Sequence, residues 1–343
     1  MSASERRPLR VLFAGSPAIA VPSLEAIAAL EAEGGAALAG VLSNPDKSRG
    51  RSAALEPTEV AAAAAALSGG RASRGKGPVP LLKPPRLDAE ARAAVQALES
   101  DLLVCFSYGK IFGPAFMGLF PLGGINVHPS LLPRHRGPSP IPTAILEGDG
   151  ETGVCIQRIA PQMDTGALAA VERIALTGRE TTASLSALAS EKGAALLKTV
   201  LRELAAAGTN EARAALLDTM CRPQEGAPTY SRLLVKEDGR IAWGKSAAAI
   251  DAQIRAYTPW PLSFTACKGD LLFALEAAPY AGPPVEGGAE PGTVLGVDKT
   301  QGILVRTGDG VLAITRLQWR AKKALHWKSF LNGARNFIGT VFA

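Results

Sequence analysis

Arg10-Val-Leu-Phe-Ala-Gly-Ser-Pro17 reads as a strand that ends in a tight turn and opens an amphipathic helix running to about residue 30. Short apolar runs alternating with helical patterns predict a parallel sheet wrapped by helices. The alternation extends through the first half of the chain. Strands are predicted over 37–42, 79–82, 102–106, 124–128, 154–159 and 168–174, with 102–106 apolar throughout and so buried on both faces. Helices are predicted over 57–67, over 88–98 behind an Asp88 cap, and over 181–207 behind Thr181 or Thr182. Residues 68–78, rich in Gly, Ser, Arg and Lys, read as a flexible basic loop.

Past residue 207 the character changes. Residues 208–228 carry Gly, Thr, Asn, Pro and Gln and read as a linker between a first domain, 1–207, and a second, 229–343. In the second domain one helix, 246–257, precedes strand candidates at 271–275, 292–297, 302–306 and 311–317. Short strands at this spacing suggest a small β-barrel. Two domains also suit 343 residues, at about 150 residues per domain.

Composition excludes several classes. A hydrophobic share of 47% against 20% charged residues is that of a chain with a core, not a disordered one. No run reaches the roughly 18 apolar residues that span a bilayer, and the first strand arrives too early for a signal peptide, so a cytoplasmic protein without a membrane partner is expected. Cys105, Cys155, Cys221 and Cys267 lie too far apart for a Cys-x-x-Cys motif and read as reduced thiols. With three histidines in the chain, no metal site is expected. Net charge is +6, and residues 221–343 hold 15 basic and 10 acidic residues. Beyond Asp309 the tail carries Arg316, Arg320, Lys322, Lys323, Lys328 and Arg335 with no acid, which fits a polyanion-facing domain or a solvated basic face.

Gly124-Ile-Asn-Val-His128 places two polar side chains on one face of an otherwise apolar strand. Alone, the pair is better read as two core groups that satisfy one another. The downstream residues shift the balance: Pro129-Ser-Leu-Leu-Pro133, the basic loop Arg134-His-Arg-Gly137, and a carboxylate within Pro161-Gln-Met-Asp-Thr-Gly166.

Asn-x-His-Pro-Ser-Leu-Leu-Pro with a downstream Asp-Thr-Gly resembles the folate-dependent formyltransferases, and residues 124–167 are their most specific signature. Arg10 to Pro17, Asn44-Pro-Asp-Lys-Ser-Arg-Gly-Arg51, Lys236 to Trp243, Tyr257-Thr-Pro-Trp-Pro261, Lys322-Lys323 and Phe330 to Gly333 resemble those members that act on methionyl-tRNA. The resemblance covers nearly the whole chain. It implies a Rossmann-like, mostly parallel sheet domain followed by an OB-like barrel, and a monomer is expected. It implies transfer of a formyl group from 10-formyltetrahydrofolate to the amino group of methionine on initiator tRNA, for initiation of translation, by direct amine attack and without a metal. Asn126, His128 and Asp164 take the catalytic parts. An amide and a protonated imidazole would face the developing oxyanion, and a carboxylate would favour the imidazolium.

By the same resemblance Ser130, Leu131, Leu132 and Pro133 line the folate site, and Tyr108, Gly109, Lys110 and Ile111 cross the pterin. Lys47, Arg49 and Arg51 contact the tRNA end, and Arg320, Lys322, Lys323 and Lys328 hold its backbone. Ser52-Ala53-Ala54 stand where the family usually carries lysines, with Arg71, Arg74 and Lys76 as possible compensating charge. The tryptophans at 243, 260, 319 and 327 are expected in the core or at a domain junction. Formylation of a nucleotide-linked amino sugar and hydrolysis of 10-formyltetrahydrofolate are the alternatives that use a similar site.

Overall fold

Seven strands carry the first part of the chain: β1 (Leu9–Gly15), β2 (Ala36–Leu42), a short ribbon β3 (Lys47–Ser48) and β4 (Leu55–Glu56), then β5 (Leu81–Leu82), β6 (Leu102–Phe106), β7 (Gly124–His128), β8 (Glu151–Arg158) and β9 (Leu168–Ala175), with β3–β4 standing apart from the seven. The computed structural model describes residues 7–48, 54–72, 75–285 and 287–343. The main sheet runs in the order β5-β2-β1-β6-β7-β8-β9. Pairing is parallel from β5 through β7 and antiparallel from β7 to β9. Every residue of β6 is buried, as its apolar run requires.

The helices of this part are α1 (Val21–Ala32), α2 (Glu59–Ala72), α3 (Ala89–Gln96) and α4 (Pro114–Met117). Asp88 caps α3 by accepting from Ala91 N at 3.1 Å. The loop expected over 68–78 is corrected: α2 continues through Ala72. The Ser68 hydroxyl donates to the Ala64 carbonyl at 3.0 Å and accepts from Val79 N at 3.0 Å, which fastens the end of the helix. Nor is the charge of Arg71 and Lys76 free to compensate for anything. Arg71 lies 2.8 Å and Lys76 3.4 Å from the buried carboxylate of Glu31. Arg74 lies outside the described residues.

Next come α5 (Pro140–Leu146), α6 (Thr182–Ala206), α7 (Asn210–Met220) and α8 (Ala247–Tyr257). The prolines of α5 deter a helix reading, yet they sit in its first turn, where a missing N–H costs no bond. In the stretch read as a linker, Thr209 caps α7 by accepting from Ala212 N, so residues that resemble a turn start a helix.

The chain divides into two compact units. The first comprises Met1–Gly137, Glu151–Ala175 and Ser186–Tyr230; the second comprises Pro138–Gly150, Leu176–Leu185 and Ser231–Ala343. In the second unit β10 (Ser263–Cys267), β11 (Asp270–Pro279), β12 (Val294–Asp298), β13 (Gly302–Arg306), β14 (Val311–Trp319) and β15 (Leu325–His326) form one antiparallel sheet, followed by α9 (Trp327–Gly333). Its order is β10-β11-β14-β13-β12 with β15 beside β14. Trp243 and Trp327 lie in this unit's core with Ile250, Leu312 and Phe330, and Trp319 packs at its margin. Trp260 departs from expectation at 55% exposure. Among the described residues no helix is long and apolar enough to cross a membrane.

Candidate active site

β7 is where the sheet changes direction, and the polar pair sits on it. Ile125 and Val127 are buried on one face, while Asn126 on the other lies in register with Cys105 of β6 and Gln157 of β8. The strand order reverses one strand away, between β1 and β6, and ligand sites in open α/β sheets favour the carboxyl ends of strands at such switch points. A cleft opens here, lined by Cys105, Asn126, Gln157 and Asp164 with Lys110, Ile111, Phe112, Ile159 and Met163. His128, which ends β7, is buried and does not line this cleft, but it lies 3.5 Å from Asp164, which does.

The two ring nitrogens of His128 face two acceptors. Nε2 lies 3.0 Å from the His135 carbonyl, to which it donates, and Nδ1 lies 3.5 Å from Asp164 Oδ1. Burial pushes the imidazole below its ordinary value, against the opposite pull of Asp164 and of the His135 carbonyl, and His135 itself adds to the lowering. Burial thus works against the expected imidazolium in the free protein. With Nε2 carrying the proton, His128 is neutral near pH 7 because burial outweighs its partners, and Nδ1 is the open nitrogen.

Asp164 is held by neutral donors. Gly137 N donates to Oδ2 at 2.8 Å and Gln157 Nε2 to Oδ1 at 2.7 Å. The residue adopts a left-handed backbone conformation, φ 55°, at the turn between β8 and β9. Two residues on, a Cβ on Gly166 would collide with the Arg158 carbonyl, so this turn demands the glycine of Asp-Thr-Gly. Gln157, unnoticed in the sequence, is 2% exposed, and its Oε1 has no hydrogen-bond partner among the described residues. Its register with Asn126 is the signal that would have found it, once β7 and β8 were known to pair.

The structure brings Asn126, His128 and Asp164 together. Of the residues expected at the folate, Lys110 and Ile111 line the cleft, and Ile111 is 81% exposed. Lys110 lies over the Tyr108 ring and donates to the Pro84 carbonyl at 2.5 Å; burial and the Lys47 charge lower its pKa. Tyr108 is buried and stacks on Phe112. Gly109 turns the chain between them at φ 80°. Ser130, Leu131, Leu132 and Pro133 are absent from the cleft lining. They form a turn behind the end of β7, where the Ser130 hydroxyl donates to the Arg134 carbonyl at 2.6 Å.

Residues 9–201 match the formyl transferase family, and residues 233–335 match the formyl transferase C-terminal domain. The methionyl-tRNA formyltransferase of Treponema denticola is 45% identical over 335 residues, covering 96% of this chain and 98% of its own. That of Chloroflexus aggregans is 35% identical, covering 95% of this chain and 97% of its own. The chain belongs to the methionyl-tRNA formyltransferase family. Its fold is shared with WlaRD, a sugar 3N-formyl transferase crystallised with dTDP and 5-N-formyl-THF. WlaRD is 16% identical, with a TM-score of 0.58 over 92% of this chain and 100% of its own.

Of the residues that membership in this family suggests for tRNA, Lys47 is exposed on β3, in register with Glu56 of β4. Arg49 and Arg51 lie outside the described residues. In the second unit, Lys322 and Lys323 are exposed, while exposed Lys328 covers the Trp327 ring at 5.4 Å. Arg320 pairs with Asp270 at 3.2 Å, so part of the basic tail is already neutralised.

Proposed function

We propose that the chain transfers the formyl group of 10-formyltetrahydrofolate to the α-amino group of methionyl initiator tRNA, with Asn126, His128 and Asp164 as its catalytic residues. The observation that carries this reading is the convergence of an amide, a neutral imidazole and a carboxylate beside one cleft, with Nδ1 and Oδ1 3.5 Å apart. The cleft fits the donor: Ile111, Phe112, Ile159 and Met163 offer apolar walls to a flat heterocycle, and Asn126, Gln157 and Asp164 add polar groups to the same lining. The donor supplies an amide-like formyl carbon.

Asn126 donates an amide N–H to the oxygen that becomes an oxyanion as the neutral amine attacks. Nδ1 of His128 takes the proton that the amine gives up as its N–C bond forms. The resulting imidazolium then has an acceptor at each nitrogen, the His135 carbonyl and the Asp164 carboxylate. His128 returns the proton to the folate nitrogen as the C–N bond on that side breaks. No covalent enzyme intermediate is needed. Exposed Lys322, Lys323 and Lys328 contribute phosphate contacts, which position the tRNA without reading its sequence.

The test offers purified protein 10-formyltetrahydrofolate with either charged initiator tRNA or a nucleotide-linked amino sugar. Formyl-methionine on tRNA is the expected product. Formyl on the sugar alone would overturn the acceptor, and release of formate without either acceptor would indicate a hydrolase. In the same assay Asn126→Ala should lower kcat about 10²- to 10³-fold, the range for loss of one oxyanion donor.

A further inference from the structure

Gln224 lies in the segment between α7 and the second unit, where the sequence suggests only a linker. Its amide is used to capacity. Nε2 donates to the carbonyls of Asp164 and Gly166, each at 2.8 Å. Oε1 accepts from Arg136 Nε at 3.1 Å and Nη2 at 2.6 Å. The same guanidinium reaches the Tyr230 hydroxyl at 3.2 Å, and Arg136 N donates to the Thr229 carbonyl at 2.9 Å.

These contacts fall on the two loops that hold the reacting groups. Residues 134–137 supply the His135 carbonyl to His128 Nε2 and the Gly137 N–H to Asp164 Oδ2. Residues 161–166 carry Asp164 itself, in its left-handed conformation. A movement of either loop changes the separation between Nδ1 and Oδ1. We propose that Gln224 is a positioning residue for formyl transfer, clamping the loop of Arg136 to the loop of Asp164 and so fixing Asp164 against His128. The inference rests on the reading of His128 and Asp164 as the reacting pair.

Asp164 and His135 are the titratable groups that act on His128. On the neighbouring strands burial raises two thiols, Cys155, paired with His128 on β8, to about 11, and Cys105, paired with Asn126 on β6, to about 12. If the Asp164 carboxylate drifts away, the attraction that favours imidazolium weakens, and His128 titrates at lower pH.

The experiment compares Gln224→Met, which removes every hydrogen bond, with Gln224→Glu, which keeps an acceptor for Arg136 but cannot donate to the two carbonyls. Both should lower kcat about ten- to a hundredfold with KM for either substrate within about twofold, as expected when reacting groups are misplaced rather than lost. In Gln224→Met the imidazole of His128, followed by NMR without substrate, should titrate at lower pH than in the wild type. A wild-type kcat in Gln224→Glu would reduce the residue to an anchor for Arg136 and overturn the proposal. Unchanged kcat and unchanged titration in Gln224→Met would do the same, and so would loss of folding in both variants, which would make the residue structural. Asp164→Asn is assayed alongside. Full activity there would sink the reacting pair itself, whereas an inactive Asp164→Asn with fully active Gln224 variants sinks this inference alone.

Discussion

Two carboxylates of the first unit, buried Asp101 and part-buried Asp164, are held in different ways. Asp101 is 1% exposed and meets two cations, Arg7 and the fully buried Arg213, the latter at 4.0 Å. Asn210 Nδ2 and Arg10 N donate to it as well, each at 2.9 Å. Asp164 takes neutral donors, Gly137 N and Gln157 Nε2, and lies 3.5 Å from a histidine held below its ordinary value. A carboxylate flanked by guanidinium groups has its charge countered in place and serves the fold. One held by neutral amides faces, in the proposed mechanism, the imidazolium formed when His128 takes up the proton of the amine. The surroundings, not the residue type, separate a structural acid from a reactive one.

The sharpest way to break this comparison is to neutralise each acid in turn. Asp164→Asn should lower kcat about 10²- to 10⁴-fold, the span of general acid–base contributions, with a thermal midpoint close to wild type. Equal kcat would remove the carboxylate from the reaction. Asp101→Ala should show the reverse pattern. Leaving Arg213 buried without its partner should cost about 3–5 kcal/mol of unfolding free energy in denaturant titrations, while kcat at low temperature stays near that of the wild type. A variant that lost turnover but kept its stability would make Asp101 part of the chemistry. The smallest effect concerns His128. Because its folded value lies below the unfolded one, the unfolded chain binds a proton more readily, and stability falls as pH drops from about 6.5 towards the lowered value. His128→Asn should flatten the denaturation midpoint across that window. An identical slope in both proteins would mean that the imidazole is not held low.

Much of this was legible in the sequence. The apolar strands 102–106 and 124–128 are recovered to the residue, because a run of that length bounded by turns has few alternatives. Asn126 and His128 share a face by the two-residue period alone. Gln157 and Gln224 were not legible, since their importance lies in partners that the chain brings together from far away. Gln224 meets Asp164, 60 positions earlier. The same holds for surface charge. Arg71 reads as a free cation until Glu31, 40 positions earlier, is seen beneath it, and Arg316 and Arg320 are likewise matched by Glu276 and Asp270. A charge count registers residues, whereas a binding face depends on which of them remain unmatched.

The level pairing of Cys105, Asn126 and Gln157 across three neighbouring strands restricts how this protein can change over generations. Side chains alternate faces along a strand, so one residue gained within β7 would rotate Asn126 out of the cleft and bring an aliphatic neighbour in. Losses or gains there are tolerable only in twos, whereas the loops beyond the strand ends are free to vary by any number. The lineage can lengthen its edges freely, but at its centre it must count in pairs.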